Sequence, residues 1–521
     1  MTRRRLLSPL IASAVLLLPM IIVIASQSQV QAINGNANYH AVCPGAPTGT
    51  AHCRALVVTD KQGNPQATLS PTGLAPVNII SAYGFPGVNT AGQGLTIAIV
   101  DAYDDPNAAS DLNTFSSQFG LPTCNSTNQC FTKVNQTGGT SYPPSDSGWD
   151  LEISLDIEWA HAIAPAAKIL LVEASSSSFA NLLTSEDYAA AHATYVSNSW
   201  GASEFSGETG YDSHFVHSGV SFFVAAGDAG VPAEYPSSSP NVISVGGTTL
   251  NYSSGAFVSE TGWSKGGGGC SGYETATSAQ SAFNQYAQVN CGGKRATPDV
   301  ALDADPNSGV SVYDSVPYSG QSGWFVVGGT SASTPMWAAA SADGGVVVNS
   351  QYVYGSAINF RDIISGNNGA PCLTGYDLCS GRGSWLFSSS GTTTTTTSTT
   401  TTTSTTTTTT STTTTTIGSS GSMNVGVSAG TETSKGPSHK VPLTVSVTSS
   451  SSPVSGASVA LSVYSGGTCT GTLAATGTGT TGSNGSVTFT FSTRTTGQWC
   501  ASATATASGY ARATGTTAFK T

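Results

Sequence analysis

Residues 326–335 read VVGGTSASTP. The apolar Phe325, Val326 and Val327 predict a strand, two glycines end it, and the hydroxyl-rich run Thr330–Thr334 predicts the opening of a helix ahead of Pro335. A small hydroxyl at a strand-to-helix turn is well placed to act as a nucleophile, and Ser331 then needs a base beside it. Outward from this turn, residues 75–388 repeat one pattern. Short apolar runs, LTIAIVDAY (95–103), AKILLVEAS (167–175), YVSNSWG (195–201), VSFFVAAGDAG (220–230) and NVISVGGTTL (241–250), alternate with helical candidates LEISLDIEWAHAIA (151–164) and FANLLTSEDYAAAHA (179–193). Buried strands interleaved with helices predict an α/β fold: a parallel sheet with helices on both faces. Its carboxyl edge would present Asp101, Ser199, Asp228 and Ser331, because open α/β sheets bind ligands there.

The base is not an obvious histidine. The seven are His40, His52, His161, His192, His214, His217 and His439, and none opens a glycine-flanked helix as a subtilisin-type triad requires. His161 is the nearest alternative, and its neighbours EWAHAIAP predict an ordinary, partly buried helical position. Carboxylates fill the gap. In SGWDLEISLDIEWAHAIAP (147–165), Glu152 and Asp156 stand at i and i+4, one above the other on a helix face. Buried together they would share a proton and split their pKa values. The spacing is equally that of a solvated acidic face, a reading to which Asp150 and Glu158 add weight.

The chain has 521 residues, enough for two or three domains. Only 9% of them are charged, against about 25% in an average soluble protein. The net charge of −11 argues against nucleic acid or an anionic membrane as partner, and the scarcity of cations suits acid tolerance. Three arginines, an apolar run ending near Ala25 and the small residues at 30–32 predict an export signal over 1–32, with a twin-arginine route open and an uncleaved anchor as the alternative. After its removal no stable membrane association is expected. Ten cysteines fall into the neighbouring pairs Cys43/Cys53, Cys124/Cys130, Cys270/Cys291, Cys372/Cys379 and Cys469/Cys500, which read as local disulfides of a secreted, extracellular protein. Residues 389–422 are mostly Thr and Ser and predict an exposed linker. Beyond it, VPLTVSVTSS, ASVALSVYSG and GSVTFTFSTR alternate with period two, which predicts an all-β sandwich over 423–521. That part is similar to the immunoglobulin-like modules appended to secreted bacterial enzymes and adhesins. It holds no catalytic cluster, and contact with a cell wall, matrix or polysaccharide is its expected use.

GGTSASTP, the E-x-x-x-D pair of LEISLDIE, SNSWG, AAGDAG and PDVALDADP occur here together. In this combination residues 75–388 resemble the sedolisin family, the serine-carboxyl peptidases that share the subtilisin fold. The resemblance implies Ser331 as nucleophile, Glu152 as base, Asp156 as its partner and Asp228 as donor to the oxyanion, and leaves Asp101 a structural residue. It also implies one Ca2+ ion in FRDIISGNNGAPCLTGYDLCSGRGSW (360–385), held by the side chains of Asp362 and Asp377 and the carbonyls of Ile363, Leu373 and Gly375. Where the family usually has Gly, this chain has Leu373, which a carbonyl ligand tolerates. The family's long folded propeptide has no counterpart of similar size: about 40 residues separate the signal from LAPVNIISAYGFP (74–86). The chain thus resembles a propeptide-poor branch, and its segment 33–74 is expected to lack a core of its own.

These expectations describe a secreted, monomeric endopeptidase acting through an acyl-enzyme on unfolded proteins or peptides. An Asp donates to an oxyanion only while protonated and a Glu base works near its own pKa, so activity is expected between about pH 3 and 5. The alternatives are a non-catalytic binding or adhesion protein on a peptidase scaffold, and a tripeptidyl-peptidase.

Overall fold

A computed structural model describes residues 38–387 and 423–521, apart from residues 44, 46, 356–357, 436–437, 450–451, 467–468, 470–472 and 507–512. The expected export signal 1–32 and linker 389–422 lie outside the described residues. The chain divides into two compact units, one reaching to Ser388 and the other starting at Ser389. No described helix is long and apolar enough to cross a membrane.

The larger unit is built on a mixed sheet. Strands Phe131–Asn135, Lys168–Ala174, Thr96–Ala102, Tyr195–Asn198, Ser221–Ala225, Ile243–Ser253, Val300–Asp303 and Ser384–Trp385 lie side by side in that order, each parallel to its neighbour. The expected all-parallel sheet is corrected at its margins. Ala256–Gly262 turns back against Ile243–Ser253, and Phe360–Arg361 runs antiparallel to Ser384–Trp385. From Ile97 to Ala102 every residue is buried. Alternate residues of a strand point to opposite faces, so both faces of the sheet are covered. The chain lays strands on one side of Thr96–Ala102 and then returns to build on the other. The order therefore switches between Thr96–Ala102 and Tyr195–Asn198, the crevice where such sheets place their ligands.

Segment 33–74 belongs to this unit as far as it is described. Leu56–Thr59 pairs with Asn38–Ala41 on one side and with Gln321–Gly328, the strand leading to Ser331, on the other. His52–Cys53 pairs antiparallel with Trp200–Ser203. Its stability thus comes from the sheets it joins.

The smaller unit is two antiparallel sheets sharing one core. Val441, Leu443, Val445 and Val447 from one sheet meet Val459, Leu461, Val463, Ala501, Ala503 and Ala505 from the other. The period-two alternation puts each set on a single face. All five neighbouring cysteine pairs are joined as disulfides.

Candidate active site

Helix Ser147–Ile163 brings Glu152 and Asp156 to the switch point. Asp146 caps it, its Oδ1 accepting from the amides of Gly148 at 3.1 Å and Trp149 at 3.3 Å. The reading of this helix as a solvated acidic face is overturned: Asp150, Glu152, Asp156 and Glu158 are all at 0% exposure. The helix lies inside the unit, and each acid finds a partner from elsewhere. Asp150 accepts from Ser145 Oγ at 2.8 Å and Glu158 from the Tyr313 amide at 3.0 Å. His161 is fully buried rather than partly so, with Nε2 on the Pro122 carbonyl at 2.8 Å.

Ser331 lies in the first turn of helix Thr330–Gly344, which opens at the very start of the hydroxyl-rich run, so Ser331 is inside the helix rather than its cap. Gly329 precedes it at φ +96°, a conformation only glycine adopts without strain. The Thr330 amide and hydroxyl donate to Asp228 Oδ1 at 2.8 and 2.9 Å, so Asp228 takes the place of an N-cap side chain. Asp228 Oδ2 is buried with no hydrogen-bond partner. A methyl group on Gly329 would lie 3.0 Å from that oxygen, so it faces the start of the Ser331 helix.

Three carboxyl groups stand behind Ser331. Glu152 Oε2 accepts from the Ala55 amide at 2.9 Å, and Asp156 Oδ1 from Ser199 Oγ at 3.0 Å. Glu152 Oε1, Asp156 Oδ2 and both oxygens of Asp101 are buried without a partner in full hydrogen-bond geometry. Burial pushes Glu152 well above the usual carboxylate range; the charge of Asp101 adds to this, and the Ser331 hydroxyl pulls it back. Burial, then Asp101 and Glu152, does the same to Asp156. Asp101 itself is pushed up to about 8 by burial. The three form one interacting group, in which Asp101 bears on both members of the pair and is more than scaffold. Donors decide where a shared charge rests: Glu152 has a backbone amide and faces Ser331, Asp156 has one hydroxyl, and Asp101 has none. These donors ease the charged form of Glu152 beside the Ser331 hydroxyl.

Asp228 is raised to about 7, chiefly by burial, with the Thr330 hydrogen bonds and Arg54 working against the rise. Below that pH it keeps its proton and can donate. Six of the seven histidines hydrogen-bond to groups other than Ser331 and Glu152, and His217 packs on Phe222. The site combines a serine hydroxyl, three interacting buried carboxyl groups and a fourth raised to about 7, without an imidazole.

Two charged residues at the site were missed in the sequence, Arg54 and Glu234. Their side chains form an ion pair inside it, Arg54 at 5% exposure. The Arg54 amide donates to the Ser199 carbonyl at 3.0 Å, and the Ser331 amide faces the Arg54 carbonyl at 3.5 Å. Nothing in the local pattern of AHCRALVV or VPAEYP signals this meeting.

The residues expected to bind calcium share one loop. Asp362 Oδ2 accepts from the Gly375 amide at 2.9 Å, and Asp377 Oδ2 from the Leu373 amide at 2.6 Å. Asp377 Oδ1 accepts from the amides of Cys379 and Ser380, and Ile363 is buried beside the Cys372–Cys379 disulfide. Two carboxylates thus engage the backbone amides of residues 373 and 375, and carboxylate oxygens are of the kind calcium takes.

The sequence profile of the subtilase family matches residues 143–344, from the start of the Glu152 helix to the end of the Ser331 helix. Kumamolisin of a Bacillus species is 32% identical over 362 residues, covering 60% of this chain and 62% of kumamolisin. The chain resembles the sedolisin family. Sedolisin of a Pseudomonas species is 28% identical, covering 60% of each chain, and xanthomonalisin of a Xanthomonas species is 27% identical, covering 64% of this chain and 48% of the relative. The chain thus spans less than two thirds of the length of these three relatives. The solved structure of Pseudomonas sedolisin, a serine-carboxyl proteinase complexed with two molecules of pseudo-iodotyrostatin, superposes with a TM-score of 0.51 at 27% identity, over 61% of this chain and 96% of that one.

Proposed function

We propose that this sedolisin-like chain is a secreted, acid-active serine-carboxyl endopeptidase. Ser331 attacks the peptide carbonyl and gives its proton to Glu152. Asp156 and Asp101 hold and polarise Glu152. Asp228, protonated, donates to the oxyanion alongside the Ser331 amide. The observation that supports this reading above all is the buried group of Glu152, Asp156 and Asp101 behind a serine at a helix N-terminus. Protein passes the catalytic residues on both sides: His52–Cys53 is paired on one and Leu56–Thr59 on the other. Chain passing the site on both sides favours internal cleavage over tripeptide removal.

Calcium, held by Asp362 and Asp377 with carbonyls of Ile363, Leu373 and Gly375, would close the loop they share and contribute no catalytic step. The smaller unit, read as an immunoglobulin-like module, would anchor the enzyme on a wall, matrix or polysaccharide. A fluorophosphonate probe at pH 4 is expected to label the wild type and not Ser331→Ala. Mass spectrometry of a denatured protein digested at several pH values is expected to show internal cuts that diminish above neutrality. Absence of both labelling and cleavage would return the chain to a binding role.

A further inference from the structure

Helix Phe179–His192 takes no part in the chemistry described above, yet it carries a carboxyl group into the interior next to the site. It packs on strands Thr96–Ala102, Lys168–Ala174 and Tyr195–Asn198. Glu186 of this helix is at 0% exposure, and so is Asn198 at the end of the third strand. Asn198 Nδ2 donates to Glu186 Oε1 at 3.2 Å. The other oxygen of each side chain, Glu186 Oε2 and Asn198 Oδ1, is buried with no hydrogen-bond partner. Buried acceptors left unpaired are costly. A single proton on Glu186 Oε2 removes both costs, because it turns that oxygen into the donor that Asn198 Oδ1 lacks. Burial favours this neutral form. It pushes Glu186 up to about 8 against the pull of the Asn198 hydrogen bond, and Asp187 adds to the rise.

What the pair holds is the residue that follows. The ladder of Tyr195–Asn198 with Thr96–Ala102 stops at Ser197, and its ladder with Ser221–Ala225 stops at Asn198, opposite Val224. Trp200 already belongs to another sheet, where it faces Cys53. Ser199 is thus the one residue between two sheets, outside both ladders. Its own contacts are with the catalytic group: Oγ donates to Asp156 Oδ1 at 3.0 Å, and its carbonyl accepts from the Ser331 hydroxyl at 3.4 Å. On one flank the Trp200 indole is tied to the Val100 carbonyl at 2.9 Å. On the other, the side chain of Asn198 is tied to Glu186.

We infer that Glu186 is a positioning residue for the reaction: as a neutral acid it locks Asn198 through two hydrogen bonds, one given and one accepted, and so fixes Ser199 against Asp156 and Ser331. This rests on the peptidase reading above. Glu186 acts on the reaction only through Asn198 and Ser199. Its influence therefore falls on kcat, since a shift of about 1 Å in a catalytic constellation can cost about 10²-fold.

The test is the kcat and KM of the full chain on a peptide substrate at pH 4. Glu186→Gln, whose amide donates and accepts as the neutral acid does, is expected to stay within about twofold of the wild type. Glu186→Leu is expected to lower kcat at least about tenfold and to change KM far less. In a Ser199→Ala background the same Glu186→Leu change is expected to cost nothing further, because the contact it governs is already gone. Should Glu186→Leu fail to fold, judged by tryptophan fluorescence, Asn198 carries the same test. Asn198→Ala is expected to lower kcat, whereas Asn198→Asp, protonated at pH 4 and able to exchange two hydrogen bonds with neutral Glu186, is expected to keep it. Equal losses in Glu186→Gln and Glu186→Leu, a loss undiminished in the Ser199→Ala background, or equal losses in Asn198→Asp and Asn198→Ala would each overturn the inference while sparing the peptidase reading. A wild type inert to peptides and to the serine probe would overturn both.

Discussion

Asp228 uses its two oxygens differently. Oδ1 takes both Thr330 donors, and Oδ2 stays free in a buried site. Its folded-state pKa, about 7, lies above the ordinary carboxylate value, so it donates below neutrality and repels an oxyanion above it. Activity is therefore expected to fall as pH rises through about 7. Asp228→Asn, whose amide donates at every pH, is expected to keep part of the activity and lose this alkaline fall. Asp228→Ala is expected to lose about 10²–10³ in turnover. Profiles of kcat/KM against pH for the three proteins check this. An unchanged alkaline limb in Asp228→Asn would move that titration to another group.

Among the elements, the Glu152 helix has a legible start and an illegible setting. Asp146 is its cap, and Asp146→Ala is expected to cost about 1 kcal/mol, measured by urea unfolding of the larger unit. The i, i+4 spacing put Glu152 and Asp156 on one face, yet spacing alone left buried pair and solvated face equally open. Helix Thr330–Gly344 and strand Val310–Tyr318, remote in sequence, pack on this helix and decided for burial. The loop bearing Asp362 and Asp377 gives a second element-scale expectation. Chelation should lower the thermal midpoint of the wild type and leave that of Asp362→Ala, already lowered, unmoved. Equal sensitivity in both proteins would exclude these residues as ligands.

Over the whole molecule, buried acids set the response to pH. Asp101, Asp105, Asp150, Glu173, Glu186 and Asp314 are pushed up to between about 7 and about 9, in each case chiefly by burial. Each binds its proton more tightly folded than unfolded. Their contribution is complete below the unfolded carboxylate value and is lost as pH rises through the folded one. His52 and His161 work the other way, lowered to about 4 by burial, and lose stability as pH falls. They are outnumbered. The larger unit is expected to be more stable at pH 4–5 than at pH 8, read from urea midpoints by tryptophan fluorescence. Seven of the eight tryptophans lie in that unit, so the signal reports on it. A higher midpoint at pH 8 would contradict the assignment of buried, protonated acids.

The sequence by itself determined what depends on near neighbours. Apolar runs and turn residues set the alternation of strands and helices, Ser331 at its turn, the pairing of close cysteines and the two-sheet unit. Tertiary structure alone decided which charges lost their water. It drew Asp101 into the group behind Ser331, set Arg54 against Glu234, and laid residues 52–57 across the catalytic side chains. Periodicity is a property of a few adjacent residues, whereas desolvation depends on everything that packs around a group from distant parts of the chain.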